Sequence, residues 1–180
     1  MKDENYFKNY IATIPDFPKK GIQFRDITPT LEDPDAFSAV IDAMTDIATQ
    51  YTFDKVICAD ARGFLFGSVL AYRLHKGVVL ARKPGKLPRP EHEYSYTLEY
   101  GTNTMATSIN CIKPGERVLI VDDLLATGGS AIAMAELVKM SGGIPVAGVF
   151  YVELPDLHGR EHFEKTVTGG CHCIISFEGE

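Results

Sequence analysis

RVLIVDDLLATGGS, residues Arg117–Ser130, decides how the chain is read. An apolar run, Val118–Val121, stops at two adjacent aspartates, Asp122 and Asp123, and a few positions later the chain reads Thr127, Gly128, Gly129, Ser130. A short unbroken apolar run with such boundaries is the pattern of a strand buried on both faces. SAIAMAELVKM, Ser130–Met140, predicts a helix ended by Gly142 and Gly143. Glycines in the connecting Ala126–Ser130 loop let the backbone approach a ligand closely. A helix that begins there offers unpaired amide hydrogens to an anion, and Thr127 and Ser130 add hydroxyl donors. No lysine follows the glycines, so this is not a Walker loop, and the dinucleotide fingerprint is missing as well. On its own, Thr-Gly-Gly serves equally well in an ordinary turn. Asp122 and Asp123 would repel a phosphate placed beside them. As acceptor-only groups, however, they suit sugar hydroxyls, or a magnesium ion held directly or through water. Strand, acid pair and phosphate loop in that order match a ribose 5-phosphate site whose acids face the sugar.

The same alternation recurs on either side. DKVICAD (Asp54–Asp60), VVLARK (Val78–Lys83) and IPVAGVFYVEL (Ile144–Leu154) read as buried strands, and GFLFGSVLAYRLH (Gly63–His75) as a helix running toward Gly77. Strands and helices alternating at these lengths predict an α/β domain with a parallel sheet covered on both faces. Ligands in such sheets gather beyond the carboxyl ends of the strands. CADARGF, LARKPGKLP and VDDLLATGGS are the chemically loaded strand ends, and all are expected at one edge of the sheet. Asp33 and Pro34 form an N-cap and first helical residue, and Phe37, Val40, Ile41, Met44, Ile47 and Ala48 line one face of the helix they start. Before that helix, Tyr6, Phe7, Tyr10, Ile11 and Ile14 have helical spacing up to the break at PDFP. YSYTLEY and TNTMATSI alternate around Gly101 and predict a two-stranded ribbon.

A chain of 180 residues suits one domain with a real core. Its net charge of −6 argues against general affinity for nucleic acid or anionic membranes, and no apolar run approaches the length of a membrane span. MKDENYFKNYIATI, Met1–Ile14, is polar and mixed in charge, unlike a signal peptide, so the cytoplasm is the expected compartment. The cysteines agree: Cys58 lies inside an apolar run, and Cys111, Cys171 and Cys173 lack the spacing of a disulfide framework. CHC at Cys171–Cys173 invites a metal, with His75, His92, His158 or His162 recruited to help. No second cysteine pair stands at zinc-finger spacing, though, and CHCIISF alternates as a terminal strand does.

VLIVDDLLATGGS resembles the phosphoribosyl pyrophosphate motif of the type I phosphoribosyltransferases. FPKKGIQFRDITPTL (Phe17–Leu31), ARGFLFG, ARKPGKLP, YTLEYGTNTM and VELPDLHGREH follow in that family's order with similar gaps, and narrow the resemblance to its adenine-specific branch. It covers nearly the whole chain, and its specificity comes from the co-occurrence of the motifs. The resemblance implies a single domain over residues 1–180 with the parallel-sheet type I fold. Residues 1–34 would form a base-pocket segment and about 84–110 a mobile hood ribbon. It implies transfer of the 5-phosphoribosyl group from phosphoribosyl pyrophosphate to adenine, giving AMP and pyrophosphate, with Mg2+ arriving on the pyrophosphate rather than in a protein cage. A homodimer is implied as well.

The resemblance also assigns roles. The phosphate goes to Ala126, Thr127, Gly128, Gly129 and Ser130, and the ribose diol to Asp122 and Asp123. Arg62, Arg82 and Lys86 lie near the pyrophosphate, with Arg82 reaching across a dimer interface; in an acidic chain, cations collected at one edge suit an anionic ligand. Glu99, at the ribbon tip between Tyr96 and Tyr100, is the group assigned to proton management on adenine. A carboxylate shielded by tyrosines gains a raised pKa. GIQFRD supplies backbone groups for the base, with Ile22 and Leu124 packing on its faces and Gln23 and Arg25 close by. Gln23, Ala61 and Ser130 depart from the apolar residue, Ser and Thr usual in relatives. Two other readings share the motif. A repressor that senses phosphoribosyl pyrophosphate needs an added basic DNA-reading element, and a transferase for another base is set aside by the resemblance of FRDITPTL.

Overall fold

The computed structural model describes residues 2–98 and 101–179. Its elements run α1 (Glu4–Lys8), β1 (Ala12–Pro15), β2 (Gln23–Asp26), α2 (Thr28–Glu32), α3 (Pro34–Ala48), β3 (Lys55–Ala59), α4 (Arg62–Arg73), β4 (Gly77–Ala81), β5 (Glu91–Leu98), β6 (Gly101–Ser108), β7 (Arg117–Leu125), α5 (Gly129–Met140), β8 (Ile144–Glu153), a 3-10 turn (Pro155–Leu157), α6 (Gly159–Glu164) and β9 (Cys171–Ser176). The strand carrying the acid pair, β7, is central in a five-stranded sheet of order β4-β3-β7-β8-β9. Every pairing in that sheet is parallel.

Parallel strands need coverage on both faces, and the alternation of side chains provides two cores. Val56, Leu119, Val121 and Val149 pack toward α3 and α4. Ile57, Val118, Ile120 and Phe150 pack toward α5 and α6. Val118–Val121 are all fully buried, so truncating Ile120 to alanine costs about 2–5 kcal/mol. α3 starts as expected: the Asp33 carboxylate accepts from the amides of Asp35 and Ala36 at 3.0 and 2.8 Å, and Val40, Ile41, Met44 and Ala48 are buried. Cys58 is buried in β3, and CHCIIS forms the last strand.

The N-terminal segment departs from its helical spacing. Only Glu4–Lys8 is helical, and Ala12–Pro15 pairs antiparallel with Gln23–Asp26. β-branched Thr13 and Ile14 favour the extended form, and Pro15 has no amide to continue a helix. The residues flanking this hairpin are tied to each other and to the sheet. Thr30 Oγ1 donates to Tyr10 O at 3.0 Å and lies 2.9 Å from Tyr151 Oη, a phenol buried in β8. Burial pushes that phenol up to about 12, and the Thr30 contact acts in the opposite sense.

The end of α4 also differs. Its last helical residue is Arg73, two short of the Gly63–His75 run, and His75, at φ +55°, takes the left-handed turn two residues before Gly77. The ribbon forms from β5 and β6, with Glu91 opposite Ser108 and Leu98 opposite Gly101. Its base is joined to the sheet edge by paired backbone hydrogen bonds between Arg82 and Ala106, at 2.9 and 2.7 Å. Tyr94 and Tyr96 pack on the α5 core.

Candidate active site

The loaded ends of β3, β4 and β7 do come together, around a cavity of about 360 Å³. Its floor is the carboxyl end of β7, and its walls are Asp60–Arg62, Arg82, Lys83 and Ala126–Ala131, with Tyr96 leaning in from the ribbon. At the loop, Gly128 sits at φ +85° as the N-cap of α5 and no side chain caps the helix. A non-glycine residue would be strained there, and the first-turn amides are left for a ligand. Ser130 Oγ lies 3.3 Å from Tyr96 Oη, linking ribbon and loop.

The two aspartates differ in setting. Asp123 accepts from Arg62 Nε at 2.5 Å. Asp122 accepts the Asp123 amide at 2.9 Å and lies tight against α4, where a Cβ on Gly63 would come 2.5 Å from its Oδ1. Burial first, and then the neighbouring Asp123 charge, hold the Asp122 carboxyl well above the usual carboxylate range. At Arg62, burial works against the charge. Attraction to Asp123, then to Asp122 and Asp26, more than offsets it, so its pKa stands above the ordinary value. Arg82 Nε donates to Asp60 Oδ2 at 2.7 Å and its Nη1 to Lys86 O at 3.1 Å. Lys86 itself is not among the residues lining this cavity.

A second cavity, about 670 Å³, lies on the other side of Leu124 and Thr127, which line both. Ile22, Gln23 and Arg25 of the N-terminal hairpin form its far wall, with Leu154, Leu157 and Gly179. The Arg25 guanidinium is occupied at its tip: Nη1 donates to Thr13 Oγ1 at 2.6 Å, Nη2 to Gly179 O at 3.1 Å, and it stacks over Phe177 at 4.5 Å. Thus the residues expected at the base pocket share one wall, and those expected at the sugar-phosphate share another. Glu99 and Tyr100 lie outside the described residues.

A phosphoribosyl transferase domain model matches residues 29–167. The adenine phosphoribosyltransferase of Rubrobacter xylanophilus is 52% identical over 154 residues, covering 86% of this chain and 83% of its own. The chain belongs to the adenine phosphoribosyltransferase family. Among solved structures of that family, the Thermoanaerobacter pseudethanolicus protein superposes with a TM-score of 0.92 at 46% identity, over 96% of this chain and 99% of its own. The Giardia lamblia protein, complexed with 9-deazaadenine, reaches 0.91 at 32% identity, over 98% and 99%. The five-stranded parallel sheet is accordingly the type I phosphoribosyltransferase fold.

Several site residues escaped the sequence reading. Asp60 holds Arg82 across 22 positions, a pairing that only the adjacency of β3 and β4 creates. Gly63 was visible only as a helix residue, and its closeness to Asp122 depends on how α4 packs on β7. Thr104 and Met105 line the first cavity from the ribbon; the period-2 alternation there was a signal for the ribbon but not for its target.

Proposed function

We propose that the chain transfers the 5-phosphoribosyl group of phosphoribosyl pyrophosphate to adenine, giving AMP and pyrophosphate, a purine-salvage reaction. The observation that carries this reading is the shared wall: β7 leads its acid pair into an uncapped helix start, and Leu124 and Thr127 separate a polar cavity from an apolar one. A nucleotide has that shape, with a phosphate, a diol and a flat base in sequence.

In this reading the amides and hydroxyls of Ala126–Ser130 take the 5-phosphate, and Asp122 and Asp123 accept from the ribose hydroxyls. Arg62 and Arg82 line the cavity that would hold the departing pyrophosphate, and Lys86, outside that lining, is assigned to it by the family resemblance alone. As the anomeric carbon gains positive character, negative charge grows on that leaving group, and fixed cations stabilise it. Arg62 and Arg82 are already oriented by Asp123 and Asp60, which limits reorganisation during the step. Ile22 and Leu124 sandwich the base, and Gln23 offers backbone groups to its amine and ring nitrogen. A carbonyl that accepts from adenine's amine repels the oxo group of hypoxanthine or guanine. Arg25, held by Thr13 and Gly179, positions that wall.

Glu99 carries the proton handling on the base, and residues 84–110 act as a hood that excludes water and opens for product release. The Arg82–Ala106 bridge sets the base of that hood. Asp60, Asp122 and Asp123 line the first cavity but, among the described residues, form no group that could hold a metal by themselves, and in this reading Mg2+ is carried in by the pyrophosphate. Bound there, the ion would neutralise part of the leaving group's charge. Leu65, Val69 and Tyr72 of α4 and Val78 and Leu80 of β4 are exposed apolar side chains, of the kind a homodimer interface would cover. Four free cysteines suit the reducing cytoplasm.

The test is to supply phosphoribosyl pyrophosphate, magnesium and, in turn, adenine, hypoxanthine, guanine, xanthine and orotate, measuring nucleotide and pyrophosphate. AMP is expected from adenine, with the other bases far behind. No AMP above background would refute the reading.

A further inference from the structure

Behind the phosphate loop stands a segment to which the reaction assigns nothing, the start of α6. The loop rests on it backbone to backbone. A Cβ on Gly159 would come 2.1 Å from Ala126 O and 2.8 Å from Gly128 N, and a Cβ on Gly128 would come 2.8 Å from Gly159 O. Only two facing glycines permit that approach. His162, one turn further along α6, places Nδ1 3.3 Å from Thr127 O.

What fixes Gly159 is the next residue. Arg160 Nε donates to Glu153 Oε1 at 2.9 Å, its Nη2 meets Glu153 Oε2, and its Nη1 donates to Cys171 O. Glu153 is the last residue of β8 and is buried. The fork therefore pins the start of α6 to the ends of two strands at once. The carbonyl of Leu125, the residue before the loop, accepts from the Leu154 amide at 2.9 Å. The phosphate loop is thus braced against β8, a strand that carries no ligand group of its own.

We propose that Gly159 and the Arg160–Glu153 fork are a positioning device for the phosphate loop, setting where its amides stand for a sugar phosphate without touching it. The inference rests on the assignment of that loop to the 5-phosphate. An ion pair that forks bidentately fixes orientation as well as distance. A shift of about 1 Å in a positioned group can cost about 100-fold, so a two-glycine contact with no slack is a sensitive place to act.

The experiment compares the full chain with Gly159→Ala and Arg160→Lys. Alanine suits a helix better than glycine does, so Gly159→Ala disturbs chiefly the contact with the loop. Lysine keeps the charge beside Glu153 and cannot fork. Calorimetric binding of ribose 5-phosphate, KM for phosphoribosyl pyrophosphate, KM for adenine and the thermal midpoint are measured for each. Ribose 5-phosphate affinity and the phosphoribosyl pyrophosphate KM are expected to worsen by about tenfold or more in Gly159→Ala and less in Arg160→Lys, while the adenine KM stays within about twofold. Folded Gly159→Ala with unchanged ribose 5-phosphate affinity would overturn the proposal, and so would equal losses for both substrates. If Gly159→Ala fails to fold, the same split in Arg160→Lys decides. Wild-type chain that does not bind ribose 5-phosphate would instead remove the assignment of the loop, and this inference with it.

Discussion

Gly63→Ala tests the acid ledge without altering any group that would touch a ligand. Residue 63 lies in the first turn of α4, directly against Asp122, and an added methyl would stand 2.5 Å from Oδ1 and 3.3 Å from Cγ. Ordinary contact begins at 3.4 Å, so the carboxylate or the helix must yield by about 0.9 Å. Overpacking of this kind costs about 1–3 kcal/mol, while alanine returns up to about 1 kcal/mol of helix propensity. The expected net loss of about 1–2 kcal/mol corresponds to a thermal midpoint lower by about 2–8 °C for a domain of this size. Displacing the carboxylate by most of an ångström should raise the KM for phosphoribosyl pyrophosphate by about 10–100-fold. In an Asp122→Ala background the two closest atoms are gone and the Asp122 Cα, at 3.5 Å, is the next nearest. There the same change should be neutral or stabilising, a coupling read from the double-mutant cycle. The reasoning fails if Gly63→Ala behaves as wild type in both assays, or if its cost is unaltered without the Asp122 carboxylate.

Asp122→Asn keeps an acceptor for the Asp123 amide and removes the buried charge. Because the folded-state pKa of Asp122 is raised, the wild-type protein loses stability as pH rises from the ordinary carboxyl range through the folded value. The variant should match wild type in acid, melt at a higher temperature near neutral pH, and bind phosphoribosyl pyrophosphate at least about tenfold more weakly; a gain that is largest in acid would contradict the sign. Glu99→Ala should lower kcat by about 100-fold or more with little change in either KM, and an unchanged kcat in single-turnover assays would withdraw the hood assignment. Tyr72, 87% exposed beside Leu65 and Val69, is the point at which to break the apolar face. Tyr72→Glu should shift the mass seen by light scattering from dimer to monomer, whereas a monomeric wild type would dispose of the interface.

The sheet was legible because burial on both faces leaves an unmistakable trace: Val118–Val121, Ile57 and Val149 sit in runs that no amphipathic helix requires. The start of α3 was legible for a local reason, since Asp33 caps it with its own side chain. Ala12–Pro15 was not. That strand is short and mostly exposed, and the aromatic residues before it mimic a helical stripe until a partner eight to fourteen positions away claims the backbone. The same division runs through the site. Acid pair, glycine loop and hairpin residues are contiguous and could be marked in advance. The Asp60–Arg82 pair and the Gly63–Asp122 contact exist only because strands and helices distant in sequence become neighbours.

Leu124 has a consequence for how such a protein can change. In the proposed reading, a side chain that is at once the ceiling of one room and the floor of the next cannot be resized for a new base without moving the sugar's seat. On that reading, shifts in base preference are open on the opposite wall, at Ile22 and Gln23, which line the second cavity and not the first. Selection acting on Leu124 has to satisfy two tenants; at Gln23 it answers to one.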